Sequence, residues 1–133
     1  MFNPLVNLLM RSGVSVLGSR ILEVRGRSSG EPRRTPVNLL AIDGTRYLVA
    51  PRGETQWVRN LRAAGGGRLL LGRRGESFSA QELTDVAEKA PILRAYLKRW
   101  KAEVGVFFDG VGPDSSEPEL LAVAAKHPVF RLN

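Results

Sequence analysis

The chain has 133 residues, 43% hydrophobic and 25% charged, which is the make-up of a soluble globular chain of single-domain length with room for one core. It has no Cys and one histidine, His127, which excludes disulfides, thiolate metal sites and a Cys nucleophile, and leaves a His-rich metal centre or a Ser-His-Asp triad short of its parts. The net charge of +7 is uneven: residues 1–74 hold 13 Arg, no Lys and 4 acids (+9), whereas residues 75–133 hold 3 Arg, 4 Lys and 9 acids (−2).

Phe2, Leu5, Val6, Leu8, Leu9 and Met10 fall near helical spacing and predict an N-terminal helical segment over 1–18. Gly13 and Gly18 interrupt it, and it is too short for a bilayer, which takes about 20 apolar residues. It also lacks the basic start and small-residue cleavage pattern of a secretory leader. Packing on the core is the plainer expectation; a peripheral membrane contact through the apolar face and Arg11 is the alternative.

Alternation of Arg20, Leu22 and Val24 with Ile21, Glu23 and Arg25 predicts a strand over about 20–26. Arg27-Ser28-Ser29-Gly30-Glu31-Pro32-Arg33-Arg34 reads as a loop. Thr35–Ile42, Asp43-Gly44 and Thr45–Pro51 read as a second strand, a hairpin turn and a third strand. Arg52-Gly53-Glu54-Thr55 is a second polar loop, followed by a helix over Gln56–Ala64 with Trp57, Leu61 and Ala64 on one face and Thr55 as cap. The glycines at 65–67 end it. Arg68–Arg73 and Glu76–Leu83 read as a hairpin around Arg74-Gly75, although Ser79 and Glu82 also fit a helix capping box. Asp85–Trp100 reads as a helix that Pro91 kinks or divides, with Ile92, Leu93, Tyr96, Leu97 and Trp100 as its apolar stripe. A loop over 109–116, a short helix over Pro118–Lys126 and a closing strand at Val129–Leu132 complete the chain. Four or five antiparallel strands with helices at the ends and between hairpins predict a mainly β or α+β fold, a small barrel or sandwich, as one domain over 1–133.

Pairing across the Asp43-Gly44 hairpin brings both polar loops to one end of the sheet, where Arg27, Arg33, Arg34 and Arg52 converge. Ser28-Ser29-Gly30 adds hydroxyls and backbone N–H groups, and the helix starting at Gln56 aims its positive end at the same place. Arginine forks suit phosphate and carboxylate, so the pattern points to a phosphorylated or polycarboxylate ligand. A basic nucleic-acid-binding module is a lower-ranked alternative, because no nucleic-acid motif accompanies the charge. No general acid or base stands out. Tyr47, Tyr96 and His127 each read as structural, which fits a protein whose reactive group is a cofactor.

The run GRSSGEPRRTP at 26–36, the DG hairpin, YLVAPRG at 47–53 and WVRNLRA at 57–63 resemble the deazaflavin-dependent nitroreductase family of actinobacteria. APILRAYL at 90–97 and HPVFRL at 127–132 are similar to later family segments, so the resemblance spans about residues 14–132. It implies a split β-barrel related to the flavin-binding pyridoxamine oxidase fold. It implies cytoplasmic coenzyme F-420 chemistry, with FMN as the alternative cofactor: hydride transfer to a small-molecule quinone, enone or nitro acceptor. The polyanionic coenzyme tail is then expected near Arg27, Ser28, Ser29, Gly30, Arg33 and Arg52, with Thr35, Pro36, Val37, Ala50, Pro51 and Gly53 lining ring and phosphate, and Trp57 and Asn60 bordering the coenzyme. Tyr96 and Trp100 are the candidates for bordering the acceptor. Two departures stand out: Ser28 replaces the family's usual Lys, and the segment between Arg52 and Trp57 is short. Ser28 favours a rival reading, a non-catalytic deazaflavin- or flavin-binding protein on the same fold. A homodimer formed through the sheets is a further expectation, nucleic-acid binding is not.

Overall fold

Strand alternation sets the inside and outside of a curled sheet. In β1 (Ser19–Arg25), Leu22 and Val24 are buried while Glu23 and Arg25 turn the other way. The computed structural model describes residues 18–133, so the expected N-terminal helix and its membrane contact lie outside the described residues. β1 pairs antiparallel with β2 (Pro32–Asn38), from Ser19↔Asn38 to Arg25↔Pro32. β3 (Leu40–Ile42) and β4 (Thr45–Val49) form the Asp43-Gly44 hairpin, whose two turn residues have φ of 49° and 84°. Positive φ at both is the geometry that makes Asp-Gly a two-residue hairpin turn.

β5 (Gly66–Leu71), β6 (Arg74–Leu83) and β7 (Val129–Leu132) complete an all-antiparallel sheet in the order β2-β1-β5-β6-β7-β4-β3. β6 serves both halves, since Arg74–Ser79 pairs with β5 and Ala80–Leu83 with β7. The two edge strands are consecutive in the chain, separated only by Leu39, and β2 lies against β4. The sheet therefore curls back on itself into a split barrel. At the break, the Leu39 N–H donates to the Gly18 carbonyl at 3.3 Å and its carbonyl accepts from Trp100 Nε1 at 3.2 Å.

Three helices complete the described residues: α1 (Gln56–Ala64), α2 (Val86–Val104) and, after a 3-10 turn at Gly105–Phe107, α3 (Glu117–Ala124). Leu22, Val24, Leu48, Leu69, Phe78, Phe130 and Leu132 fill the barrel, and α1 closes it with Val58 and Leu61. A second core lies outside, where Leu93, Tyr96, Leu97 and Trp100 of α2 and Leu120 and Val123 of α3 meet Leu40, Val49 and Val129. Adjacent residues of β4 and β7, Leu48/Val49 and Phe130/Val129, thus serve opposite cores, which explains why these strands are apolar without alternation.

Several expectations need correction. The described residues form seven strands, not four or five. Arg33 and Arg34 belong to β2 rather than to a loop, and the expected second strand is two strands, of which only β3 pairs across the hairpin. The next hairpin turns at Gly72-Arg73, because Leu71 already pairs with Arg74. Ser79 sits in β6, paired with Gly66, and starts no helix. In α1 Ala64 is exposed, and Thr55 makes no side-chain cap. α2 runs through Pro91 to Val104, with Asp85 capping it by accepting from the Ala87 N–H at 3.0 Å. α3 begins at Glu117 with a full capping box between Ser116 and Glu119. Ser116→Ala is expected to cost about 1 kcal/mol of unfolding free energy in urea titration, the usual worth of such a cap.

Candidate functional site

The topology gathers four segments at one end of the barrel. β1 and β4 both end there, β2 and β7 both begin there, and α1 crosses between the end of β4 and the start of β5. The turn after β1, the segment at 50–55, α1 and residues 126–128 therefore share that end. This is the convergence of two polar loops expected from the hairpin, with a C-terminal segment added.

The turn at 26–31 is closed by Gly26 N–H to the Glu31 carbonyl (2.8 Å) and Gly30 N–H to the Gly26 carbonyl (2.9 Å). It is clamped to α1 through Asn60, only 5% exposed, whose Oδ1 accepts from the Arg27 backbone N–H at 3.1 Å and from Arg27 Nη1 at 2.7 Å. Ser29 Oγ accepts from the Glu31 N–H at 3.2 Å and from Arg33 Nη2 at 3.4 Å. Arg27 and Arg33 thus lean on neutral acceptors, so their charge is available to an anion. Arg34 differs, because period two turns it to the opposite face of β2, where it pairs with Glu23 at 2.8 Å beside Arg68. Pro36 shares that outer face, whereas Thr35 and Val37 share the side of Leu22 and Arg33.

The second segment follows β4. Gly53 has φ of 79°, and a Cβ there would lie 3.0 Å from the Lys126 carbonyl, so both conformation and close approach require glycine. Thr55 Oγ1 is buried with no partner at the N-terminus of α1, where helix N–H groups favour an anion. A hydroxyl left unpaired at a positive helix end, on the same barrel end as Arg27 and Arg33, fits the phosphate-bearing portion of an elongated anionic coenzyme. Ala50 and Val37 are core residues that shape the wall behind it. Trp57 is half-buried against Phe130, with ring centroids 6.1 Å apart. Tyr96 and Trp100 are 1% and 2% exposed in the outer core, and burial pushes the Tyr96 phenol well above its ordinary range. Neither reaches this end's surface.

Sequence reasoning missed the other wall. Pro51, Arg52 and Gly53 face Phe107, Asp109, Lys126 and His127 across a shallow cleft of about 580 Å³. The Arg52 guanidinium lies over the Phe107 ring at 5.0 Å, and Lys126 pairs with Asp109 at 2.8 Å. His127 is 3% exposed and stacks on Phe108 with centroids 4.0 Å apart. Its Nδ1 meets the Ala50 carbonyl at 3.1 Å, and its Nε2 is buried without a partner among the described residues. A carbonyl only accepts, so Nδ1 carries the proton and Nε2 is a bare acceptor. The Ala124 carbonyl accepts from the His127 N–H at 3.2 Å and from the Nζ of buried Lys89, which fixes this corner from below. The only readable hint was His-Pro before the closing strand.

Burial holds the His127 imidazole below its ordinary pKa, assisted by Lys89 and Lys126 and opposed by the Ala50 hydrogen bond and Asp109. The unfolded chain then binds more protons than the folded one as pH falls. This contribution is complete above the ordinary imidazole range and is lost as pH drops through the folded value. Acidification from neutral pH is expected to lower Tm, and His127→Asn, which keeps a donor for Ala50, is expected to flatten that part of the profile.

The split barrel recurs in solved structures. An F420-H2-dependent reductase (FDR-A) is 21% identical, with 91% of this chain and 100% of that chain covered at a TM-score of 0.59. A putative pyridoxamine 5'-phosphate oxidase from Listeria innocua is 15% identical (87% and 82% covered, TM-score 0.57). A conserved hypothetical protein from Mycobacterium tuberculosis is 20% identical (98% and 79% covered, TM-score 0.57). These likenesses define the class, a pyridoxamine-oxidase-like split barrel. No curated protein matches the chain. Residues 9–111 match the F420H(2)-dependent quinone reductase family, and the chain belongs to that family. It is therefore an F420-dependent oxidoreductase with a small-molecule electron acceptor, as the motif resemblance implied.

Proposed function

We propose that this protein passes reducing equivalents from F420H2 to a quinone, with the coenzyme tail held by the turn at 26–31, Arg33 of β2 and the α1 N-terminus, and its ring near residues 50–53. The observation that carries the reading is the family match over 9–111, supported by the cationic end of the barrel. When bound, the reduced deazaflavin supplies a hydride. Arg27, Ser28, Ser29, Gly30 and Arg33 hold negative charge, with Asn60 keeping Arg27 in place and the Thr35 hydroxyl beside Arg33 on β2. Ser28 replaces a cation with a hydroxyl, so Arg27 and Arg33 carry more of the load. Pro51 and Gly53 line the cleft at this end of the barrel, and α1 shields the barrel interior from water. The protein thus contributes proximity and electrostatic hold. It is read as a cytoplasmic protein that pairs as a homodimer and takes no nucleic acid. Among the described residues no helix is long and apolar enough to cross a membrane.

The test is steady-state turnover with F420H2 and three acceptors: 2-methyl-1,4-naphthoquinone, a cyclic enone and a nitroimidazole. The quinone is expected to give the highest kcat/KM. Turnover of the enone or the nitro compound with no reaction of the quinone would contradict the reading.

A further inference from the structure

The cleft between Pro51–Gly53 and Phe107, Asp109, Lys126 and His127 contains one group that the folded chain leaves unfinished. His127 is almost wholly buried, its tautomer is fixed by the Ala50 carbonyl, and the other ring nitrogen finds no donor among the described residues. A buried acceptor without a donor carries a desolvation cost that a ligand donor removes. Around it the cleft offers an aromatic face, Phe107, a guanidinium above that face, Arg52, and an ammonium, Lys126, partly neutralised by Asp109. Those are the features that receive a flat, carbonyl-bearing, electron-poor ring.

We propose that His127 is a specificity-determining residue of this cleft: its Nε2 accepts a hydrogen bond from an N–H or O–H borne by a flat ring seated against Phe107 and Arg52. The choice of a quinone as that ring rests on the functional reading above; the cleft and its unfilled acceptor do not. The site consequently favours acceptors carrying a donor beside the ring carbonyl over isosteres that lack it. Protonation of His127 turns Nε2 into a donor and removes the preference. The charged groups around this imidazole are Asp109, Lys126 and Lys89, with Arg52 lining the same cleft, and Ala50 supplies its carbonyl.

The experiment compares 2-amino-1,4-naphthoquinone with 2-methyl-1,4-naphthoquinone, a near-isosteric pair differing in an N–H donor, by calorimetric titration of the 133-residue chain without coenzyme. Wild type is expected to bind the amino compound about tenfold more tightly, the worth of one buried hydrogen bond. His127→Asn, which reproduces the Nδ1 side of the ring only, is expected to lose the preference while still binding the methyl compound. His127→Gln, whose amide reaches the Nε2 position, is expected to regain part of it. Should the variants not fold, wild type alone decides: the preference is expected to vanish as pH falls below the imidazole range. Equal affinities in wild type, or a preference that survives both His127→Asn and acidification, would overturn the proposal. An intact binding preference with no quinone turnover would remove the functional reading and leave this assignment standing.

Discussion

Arg33→Glu is expected to weaken F420 binding by about 100-fold while leaving the fold intact. Arg33 is exposed at the mouth of the barrel and is held only by a 3.4 Å contact to Ser29 Oγ, so little folding energy depends on it. Its neighbours tell a different story: Arg34 and Arg68 share Glu23, and Arg62 is held between Glu54 and Glu82 at 3.0 and 2.6 Å. The paired arginines belong to the surface of the sheet and α1, while Arg27 and Arg33 remain to meet an anion. A charge-assisted hydrogen bond is worth about 1.5–3 kcal/mol, and reversing the charge adds repulsion from a polyanion. Fluorescence titration in low and high salt checks this: the wild type is expected to lose affinity with salt, and the variant to be weaker and less salt-sensitive. Equal binding by both proteins would mean that the anion site lies elsewhere.

Trp100→Ala is expected to cost about 3–5 kcal/mol of stability, the range for emptying a large aromatic site in a core. Trp100 joins three parts of the molecule. Its ring is buried in the outer core, its Nε1 donates to the carbonyl of Leu39 at the break between the edge strands, and Arg99 lies over it at 4.2 Å. Removing it leaves a cavity and an unpaired carbonyl at the point where the sheet closes. Chemical denaturation monitored by circular dichroism reads the loss, and Trp100→Phe is expected to lose less, since it keeps most of the ring. The coenzyme affinity of any folded fraction should stay near wild type, because Trp100 is remote from the exposed end of the barrel.

The parts of this architecture that local chemistry dictates could be read from the residues. Asp43-Gly44 admits almost one backbone geometry, and the stripe from Ile92 to Trp100 needed only helical spacing. The hairpin alone predicts the gathering of two polar loops at one barrel end, but the pairing of β1 with β2 and of β4 with β7 is what brings them there. What escaped was set by distant partners. Nothing local says that the chain breaks at Leu39, since the break exists because β2 pairs with β1 while β3 pairs with β4. Arg33 and Arg34 looked equivalent until the register with β1 turned one toward the mouth and the other to Glu23. The Ser116 and Glu119 capping box is present in the sequence, yet the run of good helix formers places the start one residue late, at Pro118. The cleft was hidden for a different reason: its walls are more than fifty residues apart and meet only because β4 pairs with β7, which sets the Ala50 carbonyl against His127.

One anaerobic assay tests the whole account most directly. Purified protein, F420H2 and 2-methyl-1,4-naphthoquinone are mixed, and the return of oxidised deazaflavin is followed beside a protein-free control. The account predicts protein-dependent oxidation that saturates in both partners, with Arg33→Glu raising the coenzyme KM far more than it lowers kcat. Stoichiometric coenzyme binding with no oxidation above the control would contradict it and leave a carrier of the deazaflavin in place of a reductase.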